Sequence, residues 1–282
     1  MLDGRPLIDV HLHPARLDTL KPSWDVWIQD FDSPQLHELY DGGAIDPVRF
    51  DALLEAEGVD IAVVLAEYSP KVTGIQSVED MTALVGPRVR FAANVNPHLH
   101  HPVDEELTRQ LELGAVALKV HPVHGGFAAN DRALYPAYAI CQERGVPVVV
   151  HCGTSTFPGA LNQFADPLLL DEVLRDFRRL DVVLAHGGRG WWYDAAAFLA
   201  LSNERVWIEL SGLPPSRLPT YYARHNWARL TRRMIFGTDW PGIPGIAQNA
   251  RAVAALCPDD ETADLVLAGN AAQVYGLKVP WP

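Results

Sequence analysis

The sequence predicts an α/β fold closed into a (β/α)8 barrel, and three observations point there. Eight short runs rich in β-branched residues recur along the 282 residues, most of them continuously apolar, and stretches long enough for a crossover helix separate them. Continuous apolar runs mark strands buried on both faces, as in a parallel sheet covered by helices. A doubly wound open sheet uses the same alternating units, but the number eight matches a barrel.

The first run, at residues 6–11, ends on His11, with His13 two positions on. The others fall at 59–66, 89–95, 116–121, 146–151, 181–186, 206–210 and 234–238. Between them, 47–57, 103–113, 134–144, 167–179 and 195–203 read as amphipathic helices. Residues 14–46 break the rhythm and set Trp24, Trp27, Phe31 and Tyr40 among prolines, glycines and acids. A long insertion directly after the first strand is suited to covering a pocket, and its aromatics favour that role. After the eighth run, 242–244 leads into helical stretches at 246–256 and 263–275 that close the barrel. With no repeat, low-complexity tract or linker, residues 1–282 read as one domain.

Composition narrows the function. A net charge of -12, from Asp+Glu 35 against Lys+Arg 23, disfavours nucleic acid, whose phosphates need a basic footprint. The first residues lack the apolar stretch of a signal peptide, and no run approaches the roughly 20 apolar residues of a membrane span. A cytoplasmic protein acting on a small molecule is expected, and a homo-oligomer is compatible with this surface. Cys141, Cys152 and Cys257 are odd in number and scattered, so reduced thiols are expected, with Cys152 a small buried hydrophobe.

The chemistry begins at Ile8-Asp9-Val10-His11-Leu12-His13-Pro14. Histidines at i and i+2 of a strand point to one face and can close on one ion, although two histidines on a solvated strand face have the same spacing. What favours the ion is repetition: His151, His186 and Asp239 stand at the ends of the fifth, sixth and eighth runs. In a barrel all carboxyl ends of the strands share one face, so these positions converge.

These pieces, with Val148-Val149-Val150-His151, Leu184-Ala185-His186-Gly187-Gly188, Ile235-Phe236-Gly237-Thr238-Asp239-Trp240-Pro241 and the terminal Gly269-Asn270-Ala271-Ala272-Gln273-Val274-Tyr275-Gly276-Leu277, resemble the amidohydrolase superfamily. The resemblance is to the amidohydrolase-related branch that includes aminocarboxymuconate semialdehyde decarboxylase, and it spans nearly the whole chain. It implies a barrel, metal ligation by His11, His13 and His151, Asp239 as a further ligand or proton acceptor, and a catalytic His186. Three imidazoles and a carboxylate suit a divalent ion. Zinc leads, while iron, nickel and manganese accept related donor sets.

Lys119 lies in the segment that ends the fourth run, where dihydroorotase-like members of the superfamily carry a carbamylated lysine bridging two metals. Only the short stretch Ala117-Leu118-Lys119-Val120-His121-Pro122 supports that likeness, so an unmodified amine in an ion pair or on a substrate carboxylate is expected. Glu67 is a candidate partner for it, and His121 and His124 are candidates for the same cavity mouth. Arg189, read at the start of a helix, is a candidate clamp for a substrate carboxylate. Trp191, Trp192 and Trp240 could form an aromatic wall, though packing between helix and sheet is the commoner role of such residues. The cluster His98-Leu99-His100-His101 follows the third run in a loop and reads as solvent-facing. Two reactions fit this ligand set: hydrolysis of a small amide, ester or lactone, and non-oxidative decarboxylation of a small aromatic or unsaturated acid. The segment Val149-Val150-His151-Cys152-Gly153-Thr154-Ser155 looks more like the hydrolase relatives, which favours hydrolysis. A binding protein that has lost catalysis is a third class, but every expected ligand position is filled.

Overall fold

The computed structural model describes residues 1–24 and 34–279, and in it the eight runs form one eight-stranded sheet in sequence order. The strands are β1 (Ile8–Leu12), β2 (Ile61–Leu65), β3 (Val89–Asn94), β4 (Ala117–Val120), β5 (Val148–Gly153), β6 (Val182–Arg189), β7 (Val206–Glu209) and β8 (Met234–Ile235). Every neighbouring pair is parallel. The ring closes between β8 and β1, where the amide of Val10 donates to Phe236 O at 3.3 Å and that of Asp239 to His11 O at 2.9 Å. Asp9 reinforces this seam, its carboxylate accepting from Thr238 Oγ1 at 2.6 Å and from the amides of His11 and Thr238.

One main helix follows each strand: α1 (Pro47–Ala56), α2 (Val78–Thr82), α3 (Val103–Glu112), α4 (Tyr135–Arg144), α5 (Leu170–Asp176), α6 (Tyr193–Ser202), α7 (Trp227–Thr231) and α8 (Ile246–Ala254). Local chemistry sets their ends. The Asp46 side chain caps α1 by accepting from the amides of Val48 and Arg49, with Pro47 preset for the first turn. Ser77 and Asp80 form a reciprocal capping box on α2, and α4 stops at Gly145, whose φ of 66° is the left-handed conformation that a Cβ disfavours.

Two apolar layers result. Phe50, Leu107, Tyr138, Leu184 and Leu199 belong to the layer between strands and helices, while Val10, Val63, Val149, Val183 and Trp207 pack together as a second core. The C-terminal stretch adds Ala271, Val274 and Tyr275 to that second core. Residues 263–275, expected as one helix, instead pass from Asp260–Asp264 through a π turn at Leu265–Gly269 to Asn270–Tyr275. The wider turn accompanies a bond from the amide of Phe236 to Val266 O at 2.9 Å, tying the stretch to β8.

In the insertion, Trp24 lies edge-on to His13 with ring centroids 6.2 Å apart and stacks near Phe157, as a cover would. Tyr40 instead donates its hydroxyl to Ala15 O at 3.2 Å. Trp27 and Phe31 lie outside the described residues. Among the described residues, no helix is long and apolar enough to cross a membrane.

Candidate metal centre and catalytic cavity

At the carboxyl ends of the strands lies a cavity of about 310 Å³ whose lining includes His13, Lys119, His121, His151, His186, Arg189 and Asp239. A register shift between Asp9 and Leu12 re-aims the end of β1. There His11 Nε2 and His13 Nε2 approach to 3.1 Å, and Asp239 Oδ1 lies 3.5 and 3.4 Å from them. His186 and Asp239 have φ of 64° and 70°, a conformation uncommon for side-chain-bearing residues and often concentrated at functional sites.

The surroundings fix the protons. Glu209 Oε2 sits 2.7 Å from His11 Nδ1, so that nitrogen carries the hydrogen and Nε2 presents its lone pair to the cluster. Ser211 joins the pair, its Oγ 2.8 Å from Glu209 Oε2 and 2.9 Å from His186 Nδ1. His186 Nδ1 also lies 3.0 Å from Ser211 O, which fixes the proton there and leaves Nε2 as an acceptor. Burial drives His186 well below its ordinary pKa, aided by the charge of Arg189 and the neighbouring His11, and pushes His11 down to about 4. Burial acts on Asp239 in the opposite sense, but the hydrogen bond from His13 and nearby positive charge outweigh it and hold the carboxyl below its ordinary range.

Two imidazole nitrogens and a carboxylate oxygen converging within 4.8 Å are a donor set that fits a divalent ion. His151 is not part of that triplet. Its Nε2 donates to Gly153 O at 3.0 Å, leaving Nδ1 as a buried lone pair with no hydrogen-bond partner. Such an orphaned acceptor beside His186, ring centroids 4.5 Å apart, is suited to a cation.

Lys119 is 1% exposed, and its Nζ lies 3.3 Å from His11 Nε2, inside the cluster rather than at the cavity rim. Glu67 is not its hydrogen-bond partner: that carboxylate pairs with His124 Nδ1 at 2.8 Å. Arg189 ends β6 instead of starting a helix, and its Nε and Nη2 donate to Thr154 O. Only Nη1, 3.8 Å from Asp239, remains turned to the site. Trp240 does not line the cavity; it packs against Phe50 with centroids 5.5 Å apart. Trp191 and Trp192 stand outside it as well, Trp191 being 77% exposed. Among the described residues, His98, His100 and His101 form no ligand group. Cys152 is buried and its thiol pKa is pushed up by that burial, as a packing residue's would be.

Sequence reasoning missed Glu209 and Ser211. The signal was a carboxylate inside the apolar run 206–210, where an unpaired charge would be costly.

The amidohydrolase family model matches residues 8–277. No curated protein matches the chain at a significant level. Among solved structures, an uncharacterised TIM-barrel protein from Bordetella bronchiseptica is 21% identical with a TM-score of 0.76, covering 96% of this chain and 98% of its own. A probable 2-pyrone-4,6-dicarboxylic acid hydrolase from Acinetobacter baumannii is 18% identical at a TM-score of 0.65, covering 96% and 99%. A 5-carboxyvanillate decarboxylase from Novosphingobium aromaticivorans, with bound manganese, is 14% identical at 0.66, covering 97% and 98%. At these identities the likeness establishes the barrel.

Proposed function

The chain belongs to the amidohydrolase family, and from that premise we propose that it is a metal-dependent hydrolase of a small amide, ester or lactone bearing a carboxylate. The observation that carries this reading is the convergence of His11 Nε2, His13 Nε2 and Asp239 Oδ1 on the cavity. These residues, with His151 Nδ1 as a further donor, would hold a divalent ion, which would supply Lewis acidity there when bound; zinc leads for imidazole-rich donors, with manganese or iron as alternatives.

The chain's own residues do the rest. Lys119 and Arg189 place positive charge on the wall, where it attracts a substrate carboxylate. The Asp239 carboxylate takes a proton from the attacking water. Neutral His186 takes that proton from Asp239 at Nε2 and hands it to the departing group, so the proton removed from water leaves with the product. Trp24 covers the mouth beside His13 and limits access of bulk water.

The same cations favour a second reading, carboxy-lyase activity on a small aromatic or unsaturated acid, as in the decarboxylase neighbour. A panel of lactones, amides, esters and aromatic acids, followed for acid release and carbon dioxide in parallel, separates the two. Acid release without carbon dioxide is expected, and carbon dioxide as the sole product overturns the hydrolase reading.

Lys119 is proposed to act as an unmodified amine. Burial lowers its pKa, while Glu209, Asp239 and Glu67 supply opposing negative charge. Lys119→Ala should reduce turnover more than it reduces metal content. Intact mass measured without acid should show no carbamate, and a carbamylated lysine bridging two ions in a crystal would overturn this.

A further inference from the structure

A second hydrogen-bond chain runs through the wall of the same cavity, apart from the His11, His13 and Asp239 cluster. Ser155, two residues past the end of β5, places Oγ 2.7 Å from His124 Nε2. His124 Nδ1 lies 2.8 Å from Glu67 Oε1, and that oxygen also accepts from Thr73 Oγ1 at 2.6 Å. Ser155, His124 and Glu67 are buried and line the cavity.

The polarity of the chain follows from Glu67. Burial alone would push its carboxyl up, but the neighbouring imidazoles of His121 and His124 and the hydrogen bond from His124 outweigh that and hold it well below its ordinary pKa. A carboxylate at Nδ1 fixes the imidazole proton there, so Nε2 carries the lone pair and the Ser155 hydroxyl donates to it. A base so oriented can take the hydroxyl proton from serine.

The serine is also held in place. Its amide donates to Asn162 Oδ1 at 2.8 Å and its carbonyl accepts from Asn162 Nδ2 at 3.0 Å. The amide of Phe157 points at Ser155 Oγ from 3.3 Å, stabilising negative charge that grows there. His121 stacks on His124 with centroids 3.7 Å apart and accepts the amide of His124 at Nδ1. Its hydrogen is therefore on Nε2, a neutral donor in the cavity wall.

Glu67, His121 and His124 also bring ligand atoms within 4.8 Å of one another, a spacing that suits a cation. Both nitrogens of His124 are already committed, however, and a cation would break the bonds to Glu67 or Ser155. The intact chain favours nucleophile activation.

We propose that Ser155, His124 and Glu67 form a nucleophilic relay that takes the acyl group of a small activated ester or lactone, independently of the metal cluster. Ser155 Oγ bonds to the carbonyl carbon as its proton passes to His124 Nε2, and the carbonyl π pair moves onto oxygen. Return of that pair breaks the bond to the leaving alkoxide, which takes the proton from His124. Water then cleaves the serine ester by the same sequence, releasing the acid and restoring Ser155. Glu67 is a positioning residue that holds the imidazole in its working tautomer.

The test treats purified protein with a small alkyl fluorophosphonate and locates the adduct by intact mass and peptide mapping. One adduct per chain on Ser155 is expected, absent from Ser155→Ala of unchanged melting temperature and retained after removal of metal with a chelator. Glu67→Gln should slow the bonding step by about 10² or more with little change in reagent affinity, because it perturbs the tautomer rather than the cavity. Absence of a Ser155 adduct in folded wild-type protein overturns the proposal, as does an unchanged labelling rate in Glu67→Gln. A second stoichiometric ion that is lost in His124→Gln and whose removal is required for labelling also overturns it. Because the reagent reads Ser155 without turnover, failure here is distinct from failure of metal-dependent hydrolysis.

Discussion

The double substitution His11→Ala and His13→Ala is expected to leave the protein well below one divalent ion per chain and to remove its metal-dependent turnover. These residues supply two of the three converging donors, their Nε2 atoms 3.1 Å apart, and Asp239 with only the His151 Nδ1 lone pair leaves half of the proposed donor set. The effect should be graded by distance from the ion. Glu209→Gln removes only the carboxylate that orients His11 through Nδ1, and loss of such a supporting partner typically costs about 10–100 in metal affinity or activity. Elemental analysis of protein purified without chelators, beside an apparent metal affinity from competition with a chromophoric chelator, measures both. Unchanged metal content in the double variant would place the ion elsewhere.

The barrel was legible because its strands are buried on both faces: unbroken apolar runs such as 146–151 register whatever surrounds them. The five-residue helices α2 and α7 were not, since little more than one turn gives no apolar period to detect. The hairpin pairing Glu67–Ser69 with Gly74–Gln76 escaped for the same reason. At the site, His11, His13 and Asp239 were legible because strand ends of a barrel share one face. Trp240 was misplaced because the left-handed Asp239 turns the chain, so its neighbour faces Phe50 rather than the cavity. Arg189 was misplaced because β6 continues through Gly187 and Gly188, which also have positive φ, where a turn into a helix was expected. The pairing of Ser155 with His124 and Glu67 joins a loop, a short helix at Pro122–Gly125 and a hairpin strand, and sequence spacing carries no distance between them.

His186→Asn should retain metal and fold while lowering turnover by about 10² to 10⁴, the usual cost of losing a positioned proton-transfer group. The geometry makes asparagine a discriminating replacement. His186 is anchored through Nδ1, 3.0 Å from Ser211 O, and the asparagine amide nitrogen can reproduce that donor. Its φ of 64° lies in the left-handed region, where asparagine is better tolerated than most residues, so backbone strain does not obscure the result. What asparagine cannot reproduce is the acceptor at Nε2, the atom assigned to proton transfer. Circular dichroism, elemental analysis and turnover of the substrate identified by the product screen together read the outcome. His151→Asn is expected to behave differently, losing metal affinity through loss of the buried Nδ1 lone pair. If His186→Asn loses metal in parallel with turnover, His186 holds the ion instead of moving a proton. Full activity in that variant would remove His186 from the chemistry and leave Asp239 as the proton acceptor.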